Sequence, residues 1–191
     1  MFRFTTLARA AALGLAAFAC TAEAQPIAVP DASVLVLNQD RLLTGTLFGQ
    51  RIQTELEAAS AALSAENRQI EAELTAEELE LTERRPEMSP EDFRTLAEEF
   101  DGRVVAIRAA QDAKARNLQA QAEAVQQRFF EETVPVLLEI VQIRGAAVLL
   151  DSRSVLLSAG TVDITDAAIV AIDEALGNGG DAPLISLPGD Q

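Results

Sequence analysis

Histidine, tryptophan and tyrosine are absent from this 191-residue chain, and cysteine occurs once, as Cys20. Lysine also occurs once, as Lys114. With no imidazole, and with Cys20 expected to leave with an N-terminal leader, the mature chain has neither His- nor Cys-based nucleophilic and acid–base schemes and no disulfides. A Ser–Lys dyad would need Lys114, which falls mid-helix in an Ala-rich stretch and reads as a solvated or seam-edge lysine. No glycine-rich phosphate loop is present. Positive charge is scarce: 15 basic residues face 30 acidic ones, a net charge of −15. Nucleic acid and anionic lipid head groups are therefore poor partners by non-specific attraction. No cofactor and no metal is expected. Asp163 and Asp166 flank Thr165 at a helix start, where capping accounts for them. Glu77, Glu78, Glu80 and Glu83 form a solvated acidic face with no loop of alternating oxygen ligands for calcium.

The first residues read as a leader. Arg3 and Arg9 precede "AAALGLAAFA", an apolar run too short to span a bilayer, which leads to Ala22-Glu23-Ala24. Residues 1–24 are thus expected to be a cleaved signal peptide that exports the chain. The alternative is a lipoprotein signal ending at Cys20, although Ala17 stands where an aliphatic residue would usually precede such a cysteine. Cleavage removes Arg3, Arg9 and Glu23, leaving 13 basic and 29 acidic residues, a net charge of −16.

The remainder is organised around one interruption. Apolar residues at Phe48, Ile52, Leu56, Leu63, Ile70, Leu74 and Leu81 recur in steps of four and seven, predicting a coiled-coil helix from about Leu47 to Arg84 capped by Thr46. A second such run carries Phe93, Leu96, Phe100, Val104, Ile107, Leu118, Val125 and Phe129. Between them stands "ERRPEMSPEDF", residues 83–93. Pro86 stops the first helix. Ser89 can cap the second, Pro90 costs no hydrogen bond at the first helical position, and Glu91 and Asp92 suit the positive dipole end. So short a connection folds two helices back on each other. Residues 47–144 should form an antiparallel hairpin with its tip near 85–90 and partner numbers adding to about 174. Leu74 then meets Phe100, and Leu81 lies beside Phe93. The middle of the seam is Ala-rich and weakly held. Pro135 should kink the second helix near its base.

A β body is expected from the chain ends, residues 25–46 and 145–176. "SVLVLN" and "GAAVLLD" read as strands, and "SVLLSAG", 154–160, as a third. "VDITDAAIVAIDEAL" reads as a short helix with Thr165 as N-cap, an Ile164–Ile169 staple and a stop at Gly177. Residues 177–191 read as a disordered tail. Three short strands and one helix cannot bury both sheet faces, so Val34, Val36, Val148, Leu149, Leu150, Ile164 and Ile169 are expected to join chains into an oligomer. The fold class is α+β: a small β body bearing a long helical coiled-coil hairpin.

"VLVLNQDRLL", the interrupted hairpin and "GAAVLLDSRSVLLSAGTVDITDAAIVAID" together resemble the OmpH/Skp family of periplasmic chaperones over about residues 33–174. The resemblance implies a homotrimer whose hairpins project like tentacles around a cavity. It further implies ATP-independent holding of unfolded outer-membrane proteins and no enzymatic activity. Leu74, Leu81, Phe93, Leu96, Phe100 and Ile107 are the implied diffuse client-binding residues. The best-known members are basic, with cationic tips that suit lipopolysaccharide and acidic clients. Here residues 77–94 hold seven acidic residues and three arginines, so lipopolysaccharide binding does not carry over. The competing reading is an envelope coiled-coil scaffold or adaptor that reaches a fixed partner.

Overall fold

The computed structural model describes residues 33–186; residues 1–32, with the expected leader and the first part of the expected β body, and residues 187–191 lie outside that range. Strand β1, Ser33–Leu37, leads into helix α1, Gln39–Gly45. The side chain of Asn38 caps α1 by accepting the Arg41 N–H. The sequence marks this stretch only as a turn or weak helix start, because seven residues are too few to show a period. Thr46 then caps α2, Leu47–Arg84, accepting the Gly49 N–H. The α1–α2 corner is tight: a Cβ on Gly49 would sit 1.6 Å from the Leu43 carbonyl oxygen, so only glycine fits.

A single 3-10 turn, Arg85–Glu87, contains Pro86 and ends α2. Ser89 accepts the Asp92 N–H and starts α3, Pro90–Ile143. Both expected caps and the expected break are therefore present. At about 1.5 Å per residue, α2 is roughly 57 Å long and α3 roughly 81 Å. Helix α3 continues through Pro135 to Ile143. Strand β2, Ala146–Asp151, follows and pairs in parallel with β1, matching Val34 to Val148, Leu35 to Leu149 and Val36 to Leu150. Parallel strands need a crossover connection; here the whole hairpin is that crossover.

The expected third strand does not form. After β2 the chain takes 3-10 turns at Ser152–Ser154 and Gly160–Val162, and the apolar residues of "SVLLSAG" protrude, Leu156 and Leu157 being 96% and 89% exposed. Asp151 stops β2 by accepting the Arg153 N–H and holding its guanidinium, which turns the chain off the sheet. The free edge of β1 is met instead by a bridge at Asp163, with the Ile164 N–H donated to the Val36 carbonyl at 2.9 Å.

Helix α4, Thr165–Leu176, ends at Gly177 as its glycine suggests. Thr165 is its first residue rather than its cap. Its hydroxyl is used otherwise, donating to Asp163 at 2.6 Å and accepting the Asn38 N–H at 2.9 Å. The Thr165 hydroxyl, and after it the Thr165 N–H at 2.8 Å, hold the Asp163 carboxyl below the usual carboxylate range. The Asn38 bond ties α4 to the end of β1. The tail expectation is corrected over residues 178–186, which are bonded to the hairpin and bury Ile185, 9% exposed; residues 187–191 lie outside the described residues.

One core fills the junction of body and hairpin. Leu35, Leu37, Leu42, Phe48, Ile52, Val125, Phe129, Ile164, Ala168 and Ile172 form it, with Leu149 and Ile169 packed against it. The rings of Phe48 and Phe129 meet edge to face at 5.5 Å. Phe129→Ala should cost about 3–5 kcal/mol, read as a lower urea midpoint. A midpoint unchanged from the parent would show that this junction is not the stabilising core.

Candidate functional site

The hairpin changes character along its length. Near the body, Phe48, Ile52, Leu63, Val125 and Phe129 are buried. Of residues 64–124, none is buried. The seam residues there, Ile70, Leu74, Leu81, Phe93, Leu96, Phe100, Val104 and Ile107, are half-buried. A pair of helices has no third wall, so each apolar side chain covers its partner on one flank and stays open on the other.

Between the helices runs a groove of about 850 Å³. Ile70, Leu74, Phe100, Val104, Val105 and Ile107 supply its apolar lining, with Glu71, Glu78, Asp101, Asp112 and Arg108 among the charged residues around them. Three of the six expected client-binding residues, Leu74, Phe100 and Ile107, share this groove. Leu81, Phe93 and Leu96 lie outside it toward the tip, where the Arg85 guanidinium stands 5.2 Å over the Phe93 ring.

Polar pairs set the register. Glu66 accepts from Lys114 at 2.6 Å and from Gln111 at 3.0 Å, and Arg103 pairs with Glu77. Lys114, expected as a solvated or seam-edge residue, is thus a cross-hairpin partner. These bonds hold the Glu66 carboxyl below its ordinary pKa, Lys114 first and Gln111 second. Partner numbers add to 177 for Phe48–Phe129 and Glu66–Gln111, and to 180 for Glu66–Lys114 and Glu77–Arg103. Each is three to six above the expected 174. Side chains lean toward the N-terminus of their own helix. In an antiparallel pair those leans oppose, so long side chains meet beyond their backbone register. The amide oxygen of Gln111, on the groove wall, is buried and accepts no hydrogen bond from the described residues.

The tip arginines are mostly engaged. Arg84 pairs with Glu80 at 3.3 Å, and Arg94 lies 4.0 and 3.9 Å from Glu91 and Glu98. Such exposed pairs contribute little stability, but they leave the acidic residues in excess over this region. Among the described residues no cluster of three carboxylates is placed to hold a metal, and no helix is long and apolar enough to cross a membrane.

The residues expected to join chains divide in two. Val36 and Ile164 are buried within the single chain, and Leu149 and Ile169 pack on its core. Val34, Val148 and Leu150, on the same sheet face as Val36 by register, remain 40%, 43% and 39% exposed. Three polar residues escaped the sequence reading altogether: Arg51, Glu55 and Gln121, which face the C-terminal segment at the hairpin root. Arg51 and Glu55 show helical i,i+4 spacing, but nothing in the pattern names what they hold.

A two-stranded body carrying a long, incompletely closed helical hairpin defines the class of this protein. The family model of OmpH-like outer membrane proteins matches residues 33–172, and the chain belongs to that family. A crystal structure from Caulobacter crescentus CB15, of a protein proposed to be an OmpH-like outer membrane chaperone, superposes with a TM-score of 0.74 at 19% identity, covering 78% of this chain and 89% of that one. At that identity the likeness is one of fold. No curated protein matches the sequence.

Proposed function

We propose that this protein is an ATP-independent holdase of the periplasm that binds unfolded outer-membrane proteins between helical prongs and keeps them from aggregating. The observation that carries this reading is the unclosed apolar seam of residues 64–124, including the 850 Å³ groove. Half-buried side chains give many weak, unspecific contacts, which suit a client without fixed structure. Membership in the OmpH-like family supports it. So does the absence from the sequence of histidine and of any thiol beyond Cys20, which argues against an enzyme.

The working unit in this reading is a homotrimer. Val34, Val148 and Leu150 on the open sheet face, with the protruding Leu156 and Leu157, support it, because apolar residues so exposed call for cover. The prongs then surround a cavity. The acidic tip argues against lipopolysaccharide and for apolar capture.

The test is dilution of a urea-unfolded outer-membrane barrel with and without the purified protein, followed by light scattering. Scattering should fall without nucleotide. Protection should persist or improve as salt rises, since a net charge of −16 repels an acidic client and screening relieves that repulsion. Protection that collapses with salt would point to charge-driven capture. No protection at any salt would leave the scaffold reading in its place.

A further inference from the structure

Beyond α4 the chain turns back over the hairpin root. Gly179, at φ +80°, lies so close to Phe48 that a Cβ would come within 2.4 Å of the ring. Residues 178–186 then run past α2 and α3 with neither helix nor strand. Their bonds to the two helices fall on main-chain atoms. The Arg51 guanidinium donates to the carbonyls of Asn178 at 3.4 Å, of Gly180, and of Ala182 at 2.6 Å. Glu55 accepts the N–H groups of Leu184 at 2.7 Å and Ile185 at 3.2 Å. From α3, Gln121 accepts the Ser186 N–H at 2.8 Å and donates to its carbonyl at 2.7 Å. One side chain, Ile185, is buried in the root core, and Leu184 packs against that core.

Recognition through main-chain groups reads the direction and extension of a peptide, because nearly every residue offers the same N–H and C=O. The buried Ile185 adds a preference for a branched aliphatic side chain. Arg51 and Glu55 also hold each other at 2.7 Å, so the two charged groups are mutually oriented. Burial pushes the Glu55 carboxyl up, but the Leu184 N–H, Arg51 and the Ile185 N–H outweigh it and keep its pKa below the ordinary value. It is therefore an ionised acceptor at neutral pH.

We propose that the cleft of Arg51, Glu55 and Gln121 at the hairpin root is a second polypeptide-binding site. It takes extended chain carrying a branched aliphatic residue, and residues 178–186 occupy it in cis until a client segment displaces them. This rests on the polypeptide-binding reading above. A segment tethered within ten residues of its site has an effective concentration on the order of millimolar, so dilute peptide in trans competes poorly while the cis segment is intact.

The probe is a fluorescent synthetic peptide with the sequence of residues 178–186, NGGDAPLIS, titrated into the full chain. Ile185→Asp should bind it at least tenfold more tightly than the parent, and adding Glu55→Ala should remove that gain. In the unaltered chain, an unfolded barrel should speed hydrogen exchange at the Leu184, Ile185 and Ser186 amides at least tenfold. Unchanged peptide binding by a folded Ile185→Asp chain overturns the proposal. So does unchanged exchange in the presence of a barrel that the protein does protect, and that result leaves the holdase reading standing. A chain that neither protects the barrel nor changes its exchange overturns both. If Ile185→Asp loses its helical signal, the exchange measurement on the unaltered chain decides alone.

Discussion

Deletion of residues 67–107, with Glu66 joined to Arg108 through a short glycine-serine turn, should abolish protection of unfolded barrels while the root stays folded. The root core explains why folding survives. Each buried core residue, from Leu35 to Ile172, lies outside the deleted span, as does Leu63, and so do the partly buried Leu56, Ala59 and Leu118 packed around that core. The deletion removes the groove residues Ile70, Leu74, Phe100, Val104 and Ile107 together with the tip. It leaves Lys114 and Gln111 facing Glu66 across the new end. Circular dichroism should show less helix but a cooperative melt, and barrel scattering should match that of a sample without chaperone. A shortened chain that protects as well as the parent would place client binding on the body and refute the prong mechanism.

The two facing seams were readable in the sequence because they follow from periodicity. Steps of four and seven put Leu74 and Phe100 on facing seams, and Pro86 with Ser89 and Pro90 set where the fold-back occurs. Caps at Thr46 and Ser89 are local chemistry, so four residues of sequence suffice to find them. What went unread depends on partners distant in sequence. "SVLLSAG" has the apolar run of a strand, but an apolar run says only that burial is wanted, and the chain carries it away from the sheet with Leu156 and Leu157 exposed. The segment after Gly177 has the composition of a disordered tail. Its order comes from Arg51, Glu55 and Gln121, more than sixty positions away, and composition carries no trace of that pairing. Thr165 followed the cap pattern, yet Asn38, far off in sequence, engages its hydroxyl.

Neighbouring positions on one strand should give opposite outcomes when made acidic. Val148→Asp with Leu150→Asp should convert the proposed homotrimer into single folded chains, whereas Leu149→Asp should unfold the protein. Side chains alternate across a strand. The parallel register puts Val34, Val36, Val148 and Leu150 on one face, where Val36 is covered within the chain and the other three stay 39–43% exposed, and Leu35, Leu37 and Leu149 on the other, against Phe48 and Phe129 in the core. A carboxylate on the open face meets water in a lone chain, so it costs the monomer little. Between chains it would be buried beside its own copies with no cation to pair it, which is strongly unfavourable. At position 149 the same group is half-buried against the core in every state, so its cost falls on folding itself. Val36→Asp should behave like Leu149→Asp, because Val36 is 3% exposed within the single chain. Light-scattering mass and helical signal, measured on the same samples, separate the two effects. The double variant should read the mass of one chain where the parent should read three times that, with most of its helix intact. It should also hold barrels at least tenfold less well, because one prong cannot supply the summed contacts of three. A double variant that keeps the parent's mass would move the contact between chains away from this face and leave Leu156 and Leu157 as the next surface to probe.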